Sequence, residues 1–195
     1  MNYILASKSP RRKEILETLG LSFTVFTADT DESSEERDVC AFVEELSRRK
    51  GEAVKEALLA AGQDLADTVI ISSDTVVAMG GEILGKPRDE KDACRMLRMY
   101  SGKRHQVVSG ICLIGNGKIG VGHEVTEVEF EKLDEETILR YVRSAKPYDK
   151  AGAYAIQGVA SAYIKGIVGD YFNVVGLPVH RMNLLHREIF GENMF

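Results

Sequence analysis

Apolar residues fall in short bursts between polar turns, and their spacing predicts strands alternating with helices, followed by a stretch of antiparallel sheet. Tyr3-Ile4-Leu5-Ala6 is an unbroken apolar run, and a helical pattern at Ile15, Leu16 and Leu19 ends at Gly20. A strand is predicted at residues 23–27. Asp29-Thr30-Asp31-Glu32-Ser33-Ser34-Glu35-Glu36 is acidic and without apolar side chains, so it reads as a loop. A long helix follows, with Val39, Phe42, Val43, Leu46, Ala53, Val54, Ala57 and Leu58 along one side and Gly62 as its stop.

Val69-Ile70-Ile71 suits a buried central strand leading into Ser72-Ser73-Asp74-Thr75-Val76-Val77, and Gly80-Gly81 marks a hairpin turn. Asp89 caps a helix whose Ala93, Met96, Leu97 and Tyr100 share a face. Residues 105–130 are rich in Val and Ile and break at Asn116-Gly117, a strong two-residue hairpin signal. Asp134 caps a further helix carrying Ile138, Tyr141 and Val142, closed by Pro147. Strands are predicted around 153–157 and 160–168, and a last helix carries Met182, Leu185 and Ile189. The fold class is α/β, with a mixed, largely antiparallel central sheet and flanking helices. The pattern admits two lobes, but no linker separates them, so residues 1–195 are expected to form one domain.

With 44% hydrophobic and 28% charged residues the chain can bury a sizeable core. A net charge of −5 argues against a general nucleic-acid surface and leaves room for a small polyanion in a local basic pocket. No apolar stretch is long enough for a membrane span, and Met1-Asn2 leads straight into a strand, so neither membrane insertion nor secretion is expected. Cys40, Cys94 and Cys112 are isolated and predict free thiols in a reducing cytoplasm. His105, His123, His180 and His186 show no metal-ligand spacing and predict structural or surface roles.

Against that background Ser9-Pro10-Arg11-Arg12 gains chemical interest. Ser9 suits an N-cap, Pro10 suits the first helical turn, and free N–H groups at a helix start beside two guanidiniums favour an anion such as phosphate. Asp74 follows strand-like residues and is expected near the strand's exit from the core, where α/β sheets bind ligands. With Glu32 from the acidic loop it would supply the two carboxylates that, with phosphate oxygens, usually hold Mg²⁺. Each residue taken alone also suits a plainer role, a strand-end turn for Asp74 and a solvated charge for Glu32. Lys86, between Gly85 and Pro87, suits phosphate, and equally an exposed turn. Gln157 offers both donor and acceptor, which suits the edge of a pyrimidine base. Asn173, in a Gly- and Pro-bounded turn, reads as framework first and as a minor site candidate.

Taken in order, Ser7-Lys8-Ser9-Pro10-Arg11-Arg12, Ser73-Asp74-Thr75-Val76-Val77, Gly85-Lys86-Pro87, Ala151-Gly152-Ala153-Tyr154-Ala155-Ile156-Gln157-Gly158 and Asn173-Val174-Val175-Gly176-Leu177-Pro178 resemble the Maf family of nucleoside triphosphate pyrophosphatases. The resemblance implies an elongated α/β fold similar to the inosine triphosphate pyrophosphatases, a cleft between two lobes, and a homodimer. Arg11, Thr75 and Gln157 match the branch favouring dTTP and UTP; the branch linked to 7-methyl-GTP has Trp, Gln and Glu at these places. The resemblance gives Asp74 the role of proton acceptor. It gives Ser7, Arg12, Lys50 and Lys86 phosphate-binding roles, and Asp74 with Glu32 the metal, Mg²⁺ or Mn²⁺. Gly51 stands where the family often has Ala, which should weaken that helix slightly. The expected reaction is metal-dependent hydrolysis of dTTP or UTP to the monophosphate and pyrophosphate. A nucleotide-binding regulator of septum formation without turnover is the alternative. A kinase is disfavoured because the chain has no G-x-x-x-x-G-K-[ST] loop.

Overall fold

The computed structural model describes residues 1–195. The elements run β1 (Asn2–Leu5), α1 (Pro10–Thr18), β2 (Phe23–Val25), α2 (Val39–Ala60), β3 (Thr68–Met79), β4 (Glu82–Leu84), α3 (Glu90–Tyr100), β5 (Arg104–Gly115), β6 (Lys118–Phe130), α4 (Glu135–Ala145), β7 (Ile164–Val168), α5 (Tyr171–Val175) and α6 (Val179–Phe190). The sheet order is β2-β1-β3-β5-β6-β7, with β4 paired to β3. β1 is parallel to both β2 and β3, whereas β3–β4 and β6–β7 are antiparallel. Asn116 and Gly117, at φ 50° and 72°, turn β5 back as the neighbouring β6. No helix is long and apolar enough to cross a membrane.

The chain divides into two compact units. The first comprises Met1–Asp74, Ser109–Glu124 and Gly176–Phe195; the second comprises Thr75–Val108 and Val125–Val175. In the first, Ile4, Ala6, Val54, Leu58, Ile70, Cys112 and Ile114 form an apolar cluster. His186 is fully buried there, its ring nitrogens meeting the Tyr3 hydroxyl at 3.1 Å and the Glu192 carbonyl at 2.8 Å. In the second, Tyr100, Phe130 and Tyr154 sit in the core with Leu97, Ile138 and Val142. His105 packs among those three rings with its Nε2 2.7 Å from the Tyr154 hydroxyl, and burial pushes its pKa down to about 4, so the ring is neutral near pH 7. Both histidines are thus hydrogen-bonded within the packed interior.

Helix starts follow the expected chemistry at Asp89 and Asp134, whose carboxylates accept from Asp92 N and Thr137 N at 2.8 Å. Ser9 is different. It holds the N-cap backbone conformation ahead of Pro10, yet its side chain caps nothing, and its own N–H donates to Ser7 Oγ at 3.2 Å. The strand predicted at 153–157 is absent. Gly152 and Ala153 take left-handed φ of 66° and 61° in a short 3-10 turn (Ala151–Ala153), which no strand tolerates. The second predicted strand begins only at Ile164, after another 3-10 turn (Val159–Tyr163).

Glycine sets the distance between α2 and the sheet. A Cβ on Gly110 of β5 would lie 2.1 Å from the Val43 carbonyl oxygen of α2. A Cβ on Gly51 of α2 would lie 2.7 Å from Ser72 Oγ, which donates to the Ser47 carbonyl at 2.6 Å. The expected cost of Gly51 to the helix therefore has a counterpart in packing. Gly51→Ala should lower the melting temperature despite a gain in helix propensity of about 1 kcal/mol. In a Ser72→Ala background the same change should cost less or stabilise, and the two melting temperatures measured side by side check the coupling.

Candidate active site

β1 and β3 run parallel with Leu5 opposite Ile71, and Ala6 N donates to the Ile71 carbonyl at 2.8 Å. The chain leaving β1 therefore starts α1 beside the stretch of β3 that reaches Asp74. β3 does not end there as the sequence suggested; Asp74 lies within it, because Val76 and Val77 continue the buried strand. Ser7, buried between β1 and α1, accepts from Arg12 Nη1 at 3.1 Å. Arg12 Nε donates to the Gly176 carbonyl at 2.7 Å, and Ser73 Oγ donates to the same oxygen at 3.2 Å. The guanidinium is thereby fixed on two edges before any ligand arrives. Burial lowers its pKa, Asp74 opposes that shift, Arg11 adds to it and Glu32 opposes it, so the charges of Asp74, Arg11 and Glu32 all act on this guanidinium.

Lys50 links the two carboxylates. Its Nζ lies 2.5 Å from Asp74 Oδ1 and 2.7 Å from Glu32 Oε1. Lys50 and Asp74 are largely buried, while Glu32 is 60% exposed. Two acidic oxygens on one ammonium define a place for positive charge. That donor set fits Mg²⁺ as it is commonly held, by one or two carboxylates completed by phosphate oxygens and water. It does not fit an all-protein cage, since no group of three or more His, Cys, Asp or Glu gathers as a metal site.

The loop that delivers Glu32 has no apolar anchor and is tied to α2 by polar contacts. Arg49 Nη1 donates to the Ser33 carbonyl at 2.6 Å, Ser34 Oγ donates to Glu45 Oε2 at 2.5 Å, and Arg49 pairs with Glu45. Exposed ion pairs contribute about 0–1 kcal/mol each. Ordering one backbone residue costs about 1–2 kcal/mol. Several ties acting together are therefore needed to hold this loop.

Of the residues singled out in the sequence, Ser7, Arg11, Arg12, Glu32, Lys50 and Asp74 belong to the first unit, where Ser7 meets Arg12, Lys50 meets Glu32 and Asp74, and the charges of Arg11, Glu32 and Asp74 act on Arg12. Thr75, Lys86 and Gln157 belong to the second unit. Thr75 follows Asp74 in β3, Lys86 and Gln157 are exposed, and the Gly85 carbonyl beside Lys86 accepts from Gly152 N at 2.9 Å. Asn173 proves to be framework. It is fully buried, and its Nδ2 donates to the Val107 carbonyl at 3.0 Å and to Thr126 Oγ1 at 2.9 Å. Sequence reading missed the Gly176 carbonyl, Ser73 and Arg49. Only Ser73, beside Asp74, carried a signal, as a polar residue in a buried strand.

The family profile described as Maf-like protein matches residues 2–189 of the chain. The dTTP/UTP pyrophosphatase of Agathobacter rectalis is 48% identical over 190 residues, covering 92% of this chain and 93% of its own. That of Chromobacterium violaceum is 45% identical over 188 residues, covering 96% and 93%. Among solved structures, the Staphylococcus aureus Ham1 protein aligns over 67% of this chain and 72% of its own, with a TM-score of 0.47 and 18% identity. A profile match spanning nearly every residue, and relatives this similar across more than nine-tenths of the length, establish that the chain belongs to the family of Maf-like proteins.

Proposed function

We propose that the protein hydrolyses dTTP and UTP between the α and β phosphates, giving the monophosphate and pyrophosphate. The observation that carries this reading is the meeting of Glu32, Lys50 and Asp74 beside a guanidinium, Arg12, already fixed by Ser7 and the Gly176 carbonyl. The names of relatives 45–48% identical support the substrate class. Glu32 and Asp74 would hold a divalent metal, Mg²⁺ or Mn²⁺, which when bound offsets phosphate charge and acidifies a water.

The chain's own residues do the rest. An Asp74 carboxylate oxygen takes the proton of the attacking water as its oxygen bonds to the α-phosphorus. The bond from that phosphorus to the α–β bridging oxygen breaks, and pyrophosphate leaves with the electron pair. Lys50 is held by two carboxylates until a triphosphate competes for it, and its ammonium then meets the negative charge that builds on the leaving group. Arg12 arrives pre-oriented, so little side-chain entropy is lost when it binds phosphate. On the family resemblance, Arg11, Thr75 and Gln157 choose the base and Lys86 adds phosphate contact. The same resemblance supports a homodimer, and the three isolated cysteines support a reducing cytoplasm.

Pyrophosphate release from dTTP, UTP, CTP, ATP and GTP at one concentration, with Mg²⁺ or Mn²⁺, tests this. Release from dTTP and UTP should exceed that from the purines by about tenfold or more. A chelator should stop it. Orthophosphate as the product would move the cleavage to another bond, and saturable nucleotide binding without release would replace the enzyme by a nucleotide-binding regulator.

A further inference from the structure

We infer that Arg49 and Glu45 are positioning residues for Glu32, clamping the acidic loop onto α2 at the turn that carries Lys50. The inference rests on the reading of Glu32 and Asp74 as a metal site. Residues 29–37 contain no apolar side chain, so burial cannot fix their path. The structure shows what does. Arg49 Nη1 holds the Ser33 carbonyl, its Nη2 pairs with Glu45 Oε1, and Glu45 Oε2 holds the Ser34 hydroxyl.

These contacts close a ring. Two consecutive loop residues are gripped by two α2 residues one helical turn apart, and Glu32 is the next residue upstream. On its other side, Asp31 accepts from Ser33 N and Ser33 Oγ, both at 2.8 Å, which tightens the turn around Glu32. Arg49 and Glu45 neutralise each other, so the clamp sets where the Glu32 carboxylate sits without adding net charge beside it. A planar guanidinium can serve the carbonyl and the carboxylate at once, while an ammonium lacks that fork. Lys50 comes directly after Arg49, so the clamp and the cation between the carboxylates share one turn of helix.

The test uses the full chain and Mn²⁺ alone, followed by electron paramagnetic resonance, with amide hydrogen exchange across residues 29–37 measured in parallel. In Arg49→Ala the Mn²⁺ dissociation constant should rise about tenfold, as for loss of an outer-shell partner. Arg49→Lys should raise it less, Glu45→Gln should raise it too, and exchange should rise in each. Turnover of dTTP at saturating Mn²⁺ should stay within about twofold, since the reacting groups remain. Unchanged exchange in Arg49→Ala overturns the clamp. Faster exchange with unchanged Mn²⁺ affinity, or a wild-type protein with no saturable Mn²⁺ site, overturns its link to Glu32. If wild-type protein releases no pyrophosphate from any nucleotide, the proposed activity falls alone, because metal binding and exchange still report on the clamp.

Discussion

Replacing Asp74 by Asn should lower kcat for pyrophosphate release from dTTP by about 10²-fold or more. The two side chains are nearly the same size, so the packing of β3 is kept, and an amide cannot take the proton of the attacking water. A second consequence separates a catalytic role from a binding one. Asp74 holds Lys50 at 2.5 Å and acts electrostatically on Arg12, so losing its charge releases cations towards a triphosphate. With metal at saturation, KM for the nucleotide should therefore stay level or fall while kcat collapses, the pattern of a group needed in the transition state. Steady-state kinetics alongside a thermal melt would check this. Near-normal turnover in a folded variant would remove Asp74 from the role of base.

The largest effect on stability is expected at Gly110. An added Cβ would lie 2.1 Å from the Val43 carbonyl oxygen, 2.4 Å from its carbonyl carbon and 2.9 Å from Glu44 N. All three are backbone atoms in α2, so relief requires the helix to lift from the sheet. Gly110→Ala should cost about 3 kcal/mol, at the upper end for overpacking. Urea denaturation would show a lower midpoint, and activity should fall with it because α2 carries Lys50. Gly120 offers a control. Its Cβ would lie 2.2 Å from the terminal Ile189 Cδ1, which can turn away, so Gly120→Ala should cost clearly less.

The helices were legible because each buries one stripe. Ala93, Met96, Leu97 and Tyr100 are all buried, as are Ile138, Tyr141 and Val142. The Gly80-Gly81 and Asn116-Gly117 turns were legible because both residues of each take positive φ, which these residue types favour. The segment 153–157 misled because Tyr154 and Ile156 alternate with small residues like one face of a strand. Tyr154 is in fact held by the aromatic cluster around His105, after two left-handed residues have turned the chain. A period of two over five residues cannot tell those cases apart.

In the site, spacing placed Asp74 near a strand and Glu32 in a loop, and gave no hint that one ammonium joins them. That meeting depends on the loop folding onto α2 through the Ser33 carbonyl, and a backbone acceptor leaves no trace in residue identity. Residue chemistry paired the two carboxylates as metal ligands, and the family resemblance added Lys50. Geometry adds Arg49, Glu45 and Ser73 as their supports.

The oxygen that holds Arg12 belongs to the main chain at Gly176. No amino-acid substitution removes a backbone carbonyl, so a saturation mutational scan would score residue 176 on its backbone conformation and miss this contact. Semisynthesis reaches it directly. Exchanging the amide between Gly176 and Leu177 for an ester turns that carbonyl into a weaker acceptor and leaves every side chain in place.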